Sequence, residues 1–259
     1  MAFEFDGEKY KQASKHQKSM GRDLISELEL TGEEIILDLG CGDGVLSKEL
    51  AQLVPRGRVV GVDASIGMID TANKLSCGNL TFLHMDINNI NFDEEFDLVF
   101  SNATLHWLKN HTKLLKNIFR SLKPGGIARY NFAGDGNCAN LFYVLKNTMD
   151  KQPFTAYFES FDWPWYMPKL DDYQKLVEKS DFSHKKIWGE ITDAYFNSVD
   201  EMIGWIDQPC LVPFLRCISK SEHKIQFRDL VIQQMVIRTK QENGRCFETG
   251  RRINVFAKK

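Results

Sequence analysis

An α/β fold, with a mostly parallel, doubly wound sheet and helices on both faces, is predicted by three observations on this chain of 259 residues. Short apolar runs recur at 34–39, 58–63, 79–85, 95–101 and 126–132, each of strand length. Helix-like segments separate them, which implies right-handed crossovers and therefore parallel neighbours. The first run, Ile35-Ile36-Leu37-Asp38-Leu39, closes on Gly40-Cys41-Gly42-Asp43-Gly44 and passes into a helix-like stretch from Val45 to Leu53.

In such a sheet, ligands bind at the carboxyl ends of the strands. Glycines suit the first of these ends, because a Cβ would block both the approach of a ligand to the backbone and a positive-φ turn. The second run, Val59-Val60-Gly61-Val62-Asp63, puts a carboxylate about twenty residues beyond the turn, where ribose hydroxyls sit. A dinucleotide fingerprint would need its third glycine at position 45, which is Val45, so a pyrophosphate is disfavoured. The third run, Leu80-Thr81-Phe82-Leu83, closes on Asp86-Ile87. The fourth is Phe96-Asp97-Leu98-Val99-Phe100-Ser101-Asn102, and Leu122-Lys123-Pro124-Gly125-Gly126 precedes the fifth.

Before the sheet, Glu8 to Leu30 reads as a helix, with Leu24, Ile25 and Leu28 at core spacing and Gly32 ending it. Tyr10, Ser14 and Gln17 share one polar face of it, placed to close over the site. From Gly134 to about Ser180 the pattern breaks into aromatic, turn-rich sequence (Phe158, Phe161, Trp163, Trp165, Tyr166), too long for a bare connection. The expected organisation is a helical cover at 1–32, a nucleotide-binding core at 33–133 and a helical, aromatic substrate cap at 134–183. Residues 184–259 complete the sheet, and their helices contribute to the substrate site.

Composition narrows the partners. An apolar fraction of 43% supports a full core, and a net charge of −2 argues against a general polyanion binder. The basic residues Arg216, Lys220, Lys224, Arg228 and Arg238 read as solvated faces. Six scattered cysteines with no C-x-x-C indicate neither a disulfide scaffold nor a metal site, and a reducing cytoplasm is expected. The N-terminus lacks a basic region followed by an apolar core, and no run approaches the length of a membrane span. The expectation is a monomer or weak dimer that takes a small-molecule substrate, with no nucleic acid and no membrane partner.

The Asp-x-Gly-x-Gly-x-Gly of residues 38–44, the Asp-ended second run and the placement of the later runs resemble class I S-adenosylmethionine-dependent methyltransferases. The resemblance implies a Rossmann-like, seven-stranded sheet, S-adenosylmethionine as cofactor and S-adenosylhomocysteine as product. It assigns Asp38 to the methionyl ammonium, Asp63 to the ribose, and Asp86 to the adenine amino group with Ile87 beside the ring. Gly40, Cys41, Gly42, Gly44, Ala64, Met68 and Asn102 complete the implied cofactor site. Leu105-His106-Trp107 after the fourth run, with an upstream Gln, resembles the carboxyl methyltransferases of the juvenile hormone acid and salicylate types. There a Gln amide and a Trp indole hold the acceptor carboxylate, roles matched here by Gln17 and Trp107. Trp205-Ile206-Asp207 and Pro213-Phe214-Leu215 resemble the C-terminal half of the trans-aconitate methyltransferases. Tyr10, Ser14, Trp205 and Arg216 are the expected acceptor contacts, with Arg129 or Arg216 as the cation for a second carboxylate.

A carboxylic acid is already ionised at pH 7, with a reference pKa near 4, so the nucleophile needs no general base. Carboxyl O-methylation of a small molecule by in-line displacement is therefore the expected activity. The rivals are a phenol or amine methyltransferase with His106 as base, and a non-catalytic module that keeps only the cofactor pocket. A nucleic-acid methyltransferase is disfavoured, since Ser101-Asn102-Ala103-Thr104 stands where an Asn-Pro-Pro-Tyr motif would be.

Overall fold

Near-continuous burial along the apolar runs builds a sheet with two covered faces. The computed structural model describes residues 3–259, apart from the side chains of residues 11–13 and 209. The strands are β1 (Ile35–Leu39), β2 (Arg58–Asp63), β3 (Leu80–His84), β4 (Phe96–Asn102), β5 (Leu122–Ala133), β6 (His184–Ile191), β7 (Ala194–Phe196), β8 (Cys246–Glu248) and β9 (Arg251–Lys258). Seven of them form one sheet in the order β3-β2-β1-β4-β5-β9-β6, and β7 pairs with β8 separately. The first five strands of that order are parallel neighbours, and β9 runs antiparallel to β5.

The chain divides into two compact units, one of Met1–Asp135, Trp165–Glu190 and Arg252–Lys259, the other of Gly136–Pro164 and Ile191–Arg251. In the first unit, the two-residue period of each strand sends Ile36, Val59 and Leu98 to one face and Leu37, Val60 and Val99 to the other. The first face is packed by helices Lys15–Ser26, Val45–Leu53 and Ile66–Ala72, through Leu24, Ile25, Leu50, Ile69 and Ala72. The second is packed by helices His111–Ser121 and Leu170–Glu178, through Leu114, Ile118, Tyr173 and Val177. The doubly wound α/β fold expected from the run pattern is thus present.

Several boundaries differ from the sequence expectation. The single helix expected over Glu8–Leu30 is two, Gly7–Ala13 and Lys15–Ser26, interrupted at Ser14. It ends at Ser26 because the Ser26 hydroxyl donates to the Asp23 carbonyl and the Glu27 N–H to that of Leu24, tightening the last turn. Strand β5 begins at Leu122, ahead of the glycines expected to precede it, with an irregular register between Phe96 and Leu98. The 134–183 stretch is divided between the units. Trp165–Glu190 belongs to the first, since Tyr173, Val177 and Phe182 bury in its core.

The second unit has an aromatic core of its own. Phe161 packs on Phe214 at 4.9 Å between ring centres and Phe154 on Phe227 at 5.1 Å, while Trp205 lies 5.2 Å from Phe196. The aromatic residues 158–163 therefore stabilise this unit, so their abundance carries no information about an acceptor. Glu248, buried on β8, accepts the N–H groups of Asn140 and Leu141 at the start of helix Ala139–Met149. Arg228 is held by a bidentate pair with Asp207 at 2.7 Å, and Arg238 donates to Asn140 Oδ1 at 2.8 Å. Among the described residues, no helix is long and apolar enough to cross a membrane.

Beneath the carboxyl ends of β4 and β5, the His111 ring joins Tyr173 Oη at 3.0 Å and the Leu105 carbonyl at 3.0 Å, and Tyr173 Oη meets Tyr130 Oη at 3.2 Å. Burial holds His111 near a pKa of about 4, so the ring is neutral. Its Nε2–H then donates to Leu105 and its Nδ1 accepts from Tyr173. Replacing Tyr173 by Phe strands a buried acceptor, and chemical denaturation is expected to show a loss of about 1–3 kcal/mol. A change within error would show that the 165–190 segment is not integral to this core.

Candidate active site

The turn after β1 is shaped by what its glycines cannot carry. Gly40, Gly42 and Gly44 all have positive φ (74°, 54° and 78°). A Cβ on Gly40 would stand 2.0 Å from Thr104 Cγ2, and one on Gly44 2.7 Å from Phe82 Cζ. These two glycines are required by the protein's own packing. Gly42 differs, since the nearest atom to an added Cβ is Tyr10 Cε1 at 3.8 Å. The space between Gly42 and the Tyr10 ring is one that a side chain would fill.

Asp63 ties this turn to β2. Its Oδ2 accepts the Gly42 N–H at 3.0 Å and its Oδ1 that of Ser65 at 2.9 Å. Ser65, not Asp63, caps helix Ile66–Ala72, through the Met68 N–H. Each carboxylate oxygen thus retains a lone pair for a ligand donor. Burial raises the Asp63 carboxyl above its ordinary range. Cys41 donates its N–H to the Val62 carbonyl at 3.0 Å, and burial pushes its thiol up, so its part in the turn is that of backbone. Ala64 accepts from or donates to nothing by side chain, but its carbonyl meets His84 Nε2 at 3.0 Å. Asp86 is exposed and caps the turn Ile87–Asn89 through the Asn88 N–H at 2.8 Å, while Ile87 is buried.

Asp38 lies on the sheet face of helix Val45–Leu53, where Ser47 Oγ donates to its Oδ2 at 2.6 Å. Burial pushes its carboxyl up to about 7; the Ser47 bond opposes this and the nearby Asp63 charge adds to it.

The N-terminal segment crosses the same edge. Glu4 accepts from Ser65 Oγ, Ile66 N and Gly67 N at 3.2–3.3 Å, and Glu8 pairs with Lys74 at 2.7 Å. Tyr10 follows over Gly42, and the Gln17 carbonyl accepts from Asn102 Nδ2 at 2.8 Å. Lys18 Nζ pairs with Asp43 Oδ2 at 2.6 Å, with both side chains largely buried. Tyr10 therefore lies by the glycine turn and the Gln17 main chain by the end of β4, while Ser14 between them is buried. After β4, Trp107 sits among the rings of Phe3, Phe5 and Trp165, 5.4–5.6 Å away, with His106 at 5.7 Å. His106 is held down to a pKa of about 3 by burial, with the Arg252 and His111 charges adding to the effect.

The structure gathers Tyr10, Ser14, Gln17, Asp38, the turn 40–44, Asp63, Asn102, His106 and Trp107 in the first unit. Trp205 and Arg216 belong to the second unit, and Trp205 is buried in that unit's own core. Arg129 is buried and committed to Glu27 at 2.8 and 3.0 Å and to Asn254 Oδ1 at 3.1 Å, so it is not a cation awaiting an acceptor carboxylate. Thr104, Ser47, Glu4 and the Lys18–Asp43 pair were not expected. Lys18 had a signal, since it continues the helical stripe of Tyr10 and Ser14. The other contacts join residues far apart in the chain, which no spacing rule reaches.

A family profile described as a methyltransferase domain matches residues 36–126. A trans-aconitate 2-methyltransferase of Azoarcus sp. is 32% identical over 226 residues, 85% of this chain and 85% of that one. The chain belongs to the class I S-adenosylmethionine-dependent methyltransferases. A malonyl-[acyl-carrier protein] O-methyltransferase of Priestia megaterium is 32% identical to this methyltransferase over 139 residues, 52% of this chain and 51% of that one. Among solved structures, a phosphoethanolamine N-methyltransferase of Haemonchus contortus in complex with S-adenosyl-L-methionine superposes with a TM-score of 0.61 at 18% identity. It covers 97% of this chain and 56% of that one, and at such identity the likeness is one of fold.

The residues of the methyltransferase fit its cofactor. Among the residues gathered in this unit, Ser14 Oγ, Gln17 Oε1, Asn102 Oδ1 and His106 Nδ1 are buried without a hydrogen-bond partner among the described residues. Leaving such atoms unpaired costs about 1–3 kcal/mol each, which a bound ligand offsets. Asp38 gives the site a pH signature. Between about pH 4 and 7 its native carboxyl holds a proton that the unfolded chain has lost, so stability falls as pH rises through this window. In equilibrium denaturation without ligand, Asp38→Asn should gain on the parent from pH 4 to 7, by up to about 4 kcal/mol. A difference that does not vary with pH would contradict the buried, protonated carboxyl.

Proposed function

We propose that this methyltransferase acts on a small-molecule carboxylate, forming a methyl ester. The observation that carries the reading is the state of His106. Its ring lies 5.7 Å from that of Trp107, and at a pKa of about 3 it is a poor proton acceptor at neutral pH. A phenol or ammonium acceptor would need a base there, whereas a carboxylate arrives ionised. The names of the two relatives aligned above, acting on trans-aconitate and on malonyl-acyl carrier protein, support the same class.

When bound, S-adenosylmethionine supplies a methyl group activated by its sulfonium charge. Because a carboxylate oxygen is already ionised, the chain has no proton to remove before the methyl is accepted. What the chain must do is bind and align. Gln17 Nε2 and the Trp107 indole are neutral donors, which orient a carboxylate without neutralising it as an Arg would. Phe3, Phe5 and Trp165 hold the indole in place and keep water from it. Alignment of two bound reactants lowers a barrier by about 7–11 kcal/mol, so a displaced Trp107 side chain is costly. The six cysteines are free thiols, which supports a reducing, cytoplasmic setting.

The test is S-adenosylhomocysteine release over a panel of mono-, di- and tricarboxylic acids, phenols and amines. Turnover is expected with acids alone. Trp107→Ala should lower kcat/KM by roughly a hundredfold while cofactor binding survives, and His106→Ala should leave the pH profile unchanged near neutrality. Turnover confined to phenols or amines, lost in His106→Ala, would sink the reading.

A further inference from the structure

Two of the buried unpartnered atoms can be given a ligand by their chemistry. The Gln17 main-chain carbonyl can only accept, so the Asn102 side chain must turn its Nδ2 toward it, as observed at 2.8 Å. That fixes which way the amide faces: Oδ1 points the other way, buried, with no partner among the described residues. The strand beneath it is held firmly, since Ser101 Oγ donates to the Leu39 carbonyl at 2.6 Å and Asn102 pairs in register with Asn131. Gln17 Oε1 is the second such atom, on the helix that touches Asn102. Close approach of this helix depends on Gly21, where an added Cβ would stand 2.9 Å from Asn102 Nδ2.

Both atoms only accept hydrogen bonds. An ionised carboxylate also only accepts, so an acceptor acid satisfies neither. The ligand group that does must be a hydrogen-bond donor, and two amide carbonyl dipoles in a desolvated place favour a cationic donor over a neutral amino or hydroxyl group. The cofactor's one cationic hydrogen-bond donor is the ammonium of its methionyl part. The β1–β4 register sets Asp38 opposite Phe100, so Asn102 lies at the same carboxyl edge as the glycine turn.

We propose that Asn102 Oδ1 and Gln17 Oε1 together receive the methionyl ammonium of bound S-adenosylmethionine, making Gln17 of the N-terminal helix a cofactor-reading residue. An ammonium on Oε1 also fixes the rotation of the Gln17 amide, so that Nε2 faces away from it. On the carboxylate reading above, which this consequence rests on, the cofactor thereby orients the donor that meets the acid.

The experiment is titration calorimetry of the whole chain with S-adenosylhomocysteine and with its desamino analogue, S-adenosylthiobutyrate. Gln17→Ala and Asn102→Ala should each weaken S-adenosylhomocysteine by roughly ten- to a hundredfold and leave the analogue unchanged. Gln17→Glu, which keeps the accepting oxygen, should retain S-adenosylhomocysteine binding. Equal losses for both ligands would mean a merely structural role and overturn the proposal, as would unchanged S-adenosylhomocysteine binding in Gln17→Ala. No acceptor is present in these titrations, so failure of the carboxylate reading leaves their outcome intact.

Discussion

The turn between Gly40 and Gly44 has no room for a side chain at either end, and much of the first unit is arranged around that fact. Thr104 closes on Gly40 and donates to its carbonyl at 3.1 Å, which draws the loop after β4 onto the end of β1. Phe82 closes on Gly44 and on Gly61, which brings β3 and β2 to the same point. Asp63 then fastens the turn by its middle amide. Three strand ends meet at a backbone stripped of side chains, and the site is what this convergence leaves exposed.

Around that backbone the protein keeps polar groups it does not satisfy itself. Asp38 is buried with its carboxyl pushed up by desolvation, while Asn102, Gln17, Ser14 and His106 hold buried atoms without a hydrogen-bond partner among the described residues. Each costs free energy in the unliganded chain. A fold stabilised on both faces by clusters of Leu, Ile, Val and Phe has the stability to carry that cost. The unfavourable polar atoms and the favourable core are thus parts of one arrangement, in which a ligand completes the hydrogen bonding.

Strand positions and the glycine turn were legible because their causes are local. The near-continuous apolar runs of β1, β2 and β4 follow from burial on both faces, and Gly40-x-Gly42-x-Gly44 follows from the positive φ each position needs. Helix ends were less legible, because the stop at Ser26 depends on a hydroxyl competing for a carbonyl within one turn. The aromatic stretch 158–163 was misleading for a physical reason. A ring that fills a core and a ring that lines a pocket have the same composition, and here Phe161 and Trp163 pack on Phe214.

The sequence by itself determined the α/β class, the place of the glycine turn and the carboxylates at the strand ends, since each is set by neighbours a few residues away. Tertiary structure decided what the polar residues do. It committed Arg129 to Glu27, paired Lys18 with Asp43, made Asn102 donate to the Gln17 carbonyl, and kept His106 neutral by burial. Hydrogen-bond partners and desolvation depend on which distant segments pack together, and no local pattern encodes them.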